Sequence, residues 1–168
     1  MSILTDFSDP KPYVLETVAQ LLAKGIHIGS TTGYTDAMMA IVTEKAAQLG
    51  YAPEAWFSPN AVHNLGRPYP YMVYRNMEQF QVHSAEHVIK VGDTVSDIKE
   101  GKNAGVYTVG IVEGSSEMGL TEEEYRNLTA EEKEAAVEKV KVRYAEAGAD
   151  AVLMNMSQLV PLIEAVFE

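Results

Sequence analysis

Apolar residues recur along this chain in two alternating rhythms, one helical and one extended. Val14, Leu15, Val18, Ala19, Leu21 and Leu22 fall at helical spacing within residues 12–24, and Gly25 is a natural C-terminal stop. Residues 26–29 then read as a strand. A second helix is expected over 35–49, with Met38, Met39, Ile41, Val42 and Ala46 as its apolar stripe and Gly50 as its end. Trp56-Phe57 is a short strand candidate. There follow a third helix over 69–80, a strand over 88–91, a fourth helix over 96–103 and a β-branched strand over 107–112, with Gly105 turning the chain between the last two. Strands that alternate with helices predict βαβ units, so the expected class is α/β: a Rossmann-like parallel sheet with flanking helices.

Beyond residue 120 the pattern becomes acidic. Thr121 with Glu124, and Thr129 with Glu132, match the capping box, in which a hydroxyl and a carboxylate satisfy each other's free backbone N–H groups. Two surface helices are expected there. Residues 151–154 read as a last strand, and Ser157 as N-cap of a closing helix carrying Leu159, Leu162 and Val166. No internal repeat, low-complexity tract or interdomain linker interrupts residues 1–168.

Composition narrows the class of molecule. At 168 residues and 46% hydrophobic content the chain makes one domain with a real core. Twenty-four acidic against thirteen basic residues give a net charge of −11, which repels nucleic acid and anionic membrane. With no apolar run of membrane-spanning length and no signal pattern in the first ten residues, the sequence reads as cytoplasmic. The lack of cysteine removes thiolate and disulfide chemistry, and four scattered histidines make no zinc site.

Three segments carry candidate chemistry. In Val88-Ile89-Lys90-Val91-Gly92-Asp93-Thr94-Val95-Ser96-Asp97, a buried strand is expected to turn sharply at Gly92, placing Asp93 at the sheet's carboxyl end, with Asp97 facing the same way from the next helix. Mg²⁺ suits such a place, since it takes hard oxygen ligands from one or two carboxylates together with substrate phosphate. Helix capping is the plainer use of the same pair. In Ile26-His27-Ile28-Gly29-Ser30-Thr31-Thr32-Gly33-Tyr34, a strand runs into hydroxyls and glycine, which either cap the next helix or offer donors to a phosphoryl oxygen. In Gly66-Arg67-Pro68-Tyr69-Pro70, two prolines stiffen the chain around an arginine, whose planar fork suits phosphate unless it is merely solvated.

Hydroxyl turn, arginine and acidic pair, in that order, resemble motifs two, three and four of the haloacid dehalogenase superfamily of phosphoryl-transfer enzymes. The resemblance narrows to its phosphonatase family through Ile28-Gly29-Ser30-Thr31-Thr32-Gly33-Tyr34-Thr35, Gly66-Arg67-Pro68-Tyr69-Pro70, Lys90-Val91-Gly92-Asp93-Thr94-Val95-Ser96-Asp97 and Gly114-Ser115-Ser116-Glu117-Met118-Gly119-Leu120-Thr121, and runs from about residue 12 to the C-terminus. It implies Mg²⁺-dependent hydrolysis of the small phosphonate phosphonoacetaldehyde to acetaldehyde and phosphate, in phosphonate degradation. A lysine imine would serve as electron sink, an aspartate would attack phosphorus, and water would release the aspartyl phosphate. The resemblance implies that Thr32, with Gly33 beside it, binds the phosphoryl group and that Arg67 is the basic catalytic residue. Asp93 then matches the metal-binding aspartate, and Asp97 the carboxylate that supports the metal site.

The same resemblance places the nucleophilic aspartate on a preceding strand and the imine lysine in a helical cap, and neither matches a residue here. Asp6 follows too short an apolar run, ahead of the linker-like Asp9-Pro10-Lys11-Pro12; Lys24 and Lys90 lack a desolvating cap. The expectation is therefore an incomplete core, lacking nucleophile strand and cap, with bared strand edges. It would be either a C-terminal fragment of a longer enzyme of that family or a core that takes its N-terminal part from another chain; a homodimer is also open. The alternative is a non-catalytic remnant that binds Mg²⁺ and phosphate or a protein partner; a receiver-like signalling domain is a weaker third.

Overall fold

The computed structural model describes residues 11–167. Helix α1 (Val14–Ala23) ends where the Ile26 N–H turns back to the Leu21 carbonyl at 3.1 Å. The first strand, β1 (Gly29–Thr31), starts three residues later than the apolar pattern suggests, because the Ile28 N–H is taken by Glu54 Oε2 at 2.7 Å. The Ile28 carbonyl still accepts the Glu54 N–H at 2.9 Å, so only the N–H side of Ile28 is lost to the ladder. Helix α2 (Asp36–Gln48) has Thr35 as N-cap, and leads to β2 (Ala55–Phe57) and α3 (Tyr71–Gln79). Strand β3 (Ile89–Gly92) is followed by α4 (Val95–Ala104), capped by Thr94, and by β4 (Tyr107–Ile111).

Both capping boxes form. Thr121 and Thr129 accept from the N–H groups of Glu124 and Glu132, and the two carboxylates reach back to the cap backbones, starting α5 (Glu122–Asn127) and α6 (Ala130–Glu146). Helix α6 is more than a surface helix. Val137, Val140, Tyr144 and Ala147 form a narrow apolar stripe that packs into a core with Ile98 and Val112. Strand β5 (Ala151–Leu153) and α7 (Leu159–Phe167) close the chain. Ser157 is not the cap of α7. Asn155 Oδ1 accepts its N–H at 3.0 Å and its hydroxyl at 2.5 Å, making a 3₁₀ turn at Met156–Gln158 that runs into the helix.

Strands β1 and β2 pair in parallel, Gly29 opposite Ala55, and β3, β4 and β5 pair in parallel, Val91 opposite Val109 and Gly110 opposite Val152. Among the described residues these are two sheets and not one. Helices α3 and α4 lie on one face, against β1–β2 and β3–β4 respectively. On the other face α1 and α7 bridge the two sheets, Leu21, Leu159 and Ile163 packing against Ile28 of one block and Ile89 and Val91 of the other. The α/β class and parallel pairing agree with the sequence reading. Strand β3 is half-buried where the apolar run suggests full burial, whereas β4 is buried over Thr108–Ile111 because it has neighbours on both edges.

Two glycines are set by close approach. A Cβ on Gly110 would lie 2.4 Å from the Tyr144 ring, so glycine lets α6 seat its tyrosine on β4. A Cβ on Gly92 would lie 2.2 Å from Asp97 Cβ. Gly92 therefore does not serve as the expected sharp turn: it ends β3 as a strand residue and makes room for Asp97 against the backbone. Asp6 lies outside the described residues. Among those described, no helix is long and apolar enough to cross a membrane.

Candidate phosphate and metal site

The site gathers where β1 and β3 end. The Thr32 N–H extends the pairing to Phe57 O at 3.2 Å, and its hydroxyl accepts the Tyr34 N–H at 3.0 Å, so the chain turns tightly past Gly33 into α2. The Thr32 hydroxyl keeps its own proton to donate. Arg67 reaches this turn from the following loop, its Nη2 donating to the Thr31 carbonyl at 3.0 Å. That loop is tied to α4 by Asn103 Nδ2, which donates to Pro68 O at 2.8 Å. Gly33, Gly66, Arg67 and Ser96, with Pro59, Asn64 and Tyr69, line an open cleft of about 390 Å³. Hydroxyl turn, arginine and the start of α4 thus meet around one open space, although they are far apart in sequence.

Beneath the cleft lies a four-charge cluster. Asp97 Oδ1 is 3.0 Å from Arg67 Nη1 and 3.1 Å from Lys90 Nζ, and Glu100 Oε2 is 2.9 Å from Lys90 Nζ and 3.6 Å from Arg67 Nε. Lys90 also donates to Thr31 Oγ1 at 2.7 Å, and that hydroxyl donates to Glu100 Oε2 at 2.9 Å. All three ammonium hydrogens have acceptors, which leaves Lys90 none for a ligand. The side chains of Asp97 and Glu100 are 5% and 0% exposed, so each charge depends on its partners. Arg67 Nε and Glu100 Oε1 are buried without a hydrogen-bond partner among the described residues. Such atoms are costly unless water or a ligand reaches them.

Asp97 answers to opposing influences. Burial, the largest, pushes its carboxyl upward; Lys90 and then Arg67, with hydrogen bonds from Thr94 and Lys90, outweigh it and hold the group below its ordinary value. Its second oxygen accepts the Thr94 hydroxyl at 2.7 Å and the Asp93 N–H at 3.3 Å. Asp97 therefore orients the Asp93 backbone and Arg67 together. Asp93 stands at the rim, 28% exposed in its side chain. Its Oδ2 accepts the N–H and hydroxyl of Ser116, both at 3.1 Å, and the Lys11 ammonium at 2.5 Å, while Lys11 also donates to the Gly114 carbonyl.

The Lys11 ammonium marks a cation position between a carboxylate and a carbonyl. Both are hard oxygens, the donors a magnesium-sized ion prefers. Among the described residues no group of three or more His, Cys, Asp or Glu side chains is arranged for a metal, but Mg²⁺ takes one or two carboxylates and keeps waters. The donor set thus fits a hydrated divalent ion at Asp93. Thr32, Gly33, Arg67, Asp93 and Asp97 fall in one region. Sequence reasoning missed Glu100, Ser116 and the Lys90 link to Thr31. The apolar run around Lys90 is the one signal that points to a buried lysine needing acidic partners.

This architecture, with an acidic strand end, a hydroxyl turn and an arginine brought into one region at the ends of parallel strands, is that of a haloacid dehalogenase-like hydrolase, whose family model matches residues 1–105. The chain belongs to that family, whose hydrolases generally use a divalent metal. It is 51% identical over 168 residues to the phosphonoacetaldehyde hydrolase of Lysinibacillus sphaericus (strain C3-41), covering all of this chain and 62% of that protein. It is 48% identical over 163 residues to the phosphonoacetaldehyde hydrolase of Bacillus cereus (strain G9842), covering 97% of this chain and 61% of that one. The fold is similar to the crystal structure of a phosphonoacetaldehyde hydrolase-like protein from Oleispira antarctica, with a TM-score of 0.93, 32% identity, and coverage of 98% and 59% of the two chains. The chain spans about three fifths of the length of the curated relatives it matches.

Proposed function

We propose that this chain forms the phosphate- and metal-binding half of an enzyme that hydrolyses phosphonoacetaldehyde to acetaldehyde and phosphate. The observation that carries the reading is the cleft lined by Gly33, Arg67 and Ser96, together with Asp97, which joins Arg67 to the Asp93 backbone. The identity to proteins named for that reaction supports the choice of substrate. In this reading the Thr32 hydroxyl and the backbone at Gly33 donate to one phosphoryl oxygen. Arg67, held by Asp97 and the Thr31 carbonyl, offers charge to another. The Asp93 carboxylate and the Gly114 carbonyl are the groups that would hold Mg²⁺ in place of the Lys11 ammonium. The ion would supply positive charge against the phosphoryl oxygens.

The nucleophilic aspartate and the imine-forming lysine match no residue of this sequence, and the reading takes both from an N-terminal portion on another segment or chain. The edges of β1 and β3, unpaired among the described residues and sharing the floor made by α1 and α7, support an added strand between the two sheets. The substrate is a small phosphonate, the setting cytoplasmic, and neither nucleic acid nor membrane is a partner. The test is acetaldehyde release from phosphonoacetaldehyde with Mg²⁺, by this chain alone and with an N-terminal portion carrying the aspartate and the lysine. Release is expected only from the mixture and is abolished by Asp93→Asn. A mixture that releases no acetaldehyde, yet hydrolyses a phosphate ester, would replace this reading with that of a phosphatase.

A further inference from the structure

The loop over residues 114–121 carries part of the family resemblance and brings both Ser116 and Glu117 against Asp93. We infer that Ser116 and Glu117 are positioning residues that set the Asp93 carboxylate for its cation, an inference that rests on the metal reading above. Ser116 gives Asp93 Oδ2 two donors, its N–H and its hydroxyl, at 3.1 Å each. Two donors from one residue fix the rotation of the carboxylate, and no hydrogen bond from a described residue reaches Oδ1. The same oxygen meets the Lys11 ammonium, so the Ser116 donors orient the oxygen that stands at the cation position. Ser115, buried beneath, accepts the Met118 N–H at 3.1 Å and shapes the turn that presents Ser116.

Glu117 fixes the other side of the same aspartate. Its N–H donates to the Asp93 carbonyl at 3.2 Å, and its Oε2 accepts the Val95 N–H at 3.1 Å, at the first residue of α4. Its Oε1 lies 2.7 Å from Arg143 Nη1 on α6. Glu117 therefore meets Asp93 through its backbone and joins the first turn of α4 to α6 through its side chain, and its negative charge sits at the positive end of α4. Ser116 itself is exposed, and among the described residues its hydroxyl meets the Asp93 carboxylate alone. Removing that hydroxyl leaves the core intact, so its effect belongs to the cation site. Groups that orient a metal ligand from outside the coordination sphere are worth about 10–100-fold in metal affinity.

The experiment is a calorimetric titration of Mn²⁺, as a stand-in for Mg²⁺, into the full 168-residue chain, with thermal melting of each variant. Ser116→Ala is expected to weaken Mn²⁺ binding about tenfold with an unchanged melting temperature. Ser116→Thr, which keeps the hydroxyl, restores it. Glu117→Gln is expected to weaken binding by a similar factor. Wild-type affinity in both Ser116→Ala and Glu117→Gln would overturn this inference while leaving the metal reading in place. No Mn²⁺ binding by the unmodified chain would overturn both.

Discussion

The two strand blocks differ in how firmly they are built. In the β3–β5 block, Ile98, Val109, Val112, Val140 and Tyr144 are between 0 and 2% exposed and surround a middle strand with hydrogen-bonded neighbours on both edges. The β1–β2 block has three-residue strands, and a cavity of about 450 Å³ opens between α2 and the sheet, lined by Met39, Val42, Ala46, Tyr51 and Trp56. The acidic half of the site, Asp93 and Asp97, stands on the firm block. The Thr32 turn stands on the loose one. Their relative placement rests on the shared floor of α1 and α7 and on Arg67, Lys90, Asp97 and Glu100, which cross from one block to the other. A cluster of charges is a directional link between blocks whose described strands do not pair: it sets geometry where apolar packing sets only proximity.

The contrast is sharpest in the cores. Tyr144→Ala removes a ring seated on Gly110 together with its 2.9 Å hydrogen bond to Ile111 O, and is expected to cost about 4 kcal/mol in denaturant unfolding. Met39→Ala, beside space already open, should cost about 2 kcal/mol, the low end for such a deletion. Equal losses at the two positions would break the comparison. Next comes the link between the blocks. Glu100→Ala leaves Lys90 and Arg67 short of a buried partner and should cost about 3 kcal/mol, with faster amide exchange at β1 and β2 than at β4. Exchange slowed or sped uniformly across all strands would argue against a link that acts between blocks.

Smaller effects refine the picture. Thr129→Ala removes the cap of α6, the helix that carries Tyr144, and should lower stability by about 1 kcal/mol in the same unfolding assay. The smallest expected effect is acidic. Asp97 titrates below its ordinary value of 3.8 in the folded chain, so its contribution to stability is complete above pH 3.8 and is lost as pH falls through the lower folded value. Asp97→Asn should flatten the stability profile in that acidic range and leave its shape near neutrality unchanged, as read from melting temperature against pH.

Legibility in the sequence followed the range of the interactions involved. The capping boxes at Thr121 and Thr129 need only residues three apart, and both form as the pattern indicates. The Ser157 cap failed because Asn155, two residues earlier, competes for the same backbone and wins with its side-chain oxygen. β1 starts late because a glutamate 26 residues away takes an N–H that the strand would have used. Glu100 looks in sequence like any polar residue on a helix, and only the packing of α4 against β3 shows it fully buried beneath Arg67 and Lys90.

By itself the sequence determined the alternation of strands and helices, the capped starts of α5 and α6, and the short motifs that hold Thr32, Arg67, Asp93 and Asp97. Those features depend on periodicity and on bonds within a few residues. The tertiary structure alone decided that the described strands divide into two blocks, that Lys90 and Glu100 join them, and that Ser116 faces Asp93 across 23 residues of chain. Such contacts arise from how whole elements pack, and a buried charge finds its partner only after the elements on both sides are in place.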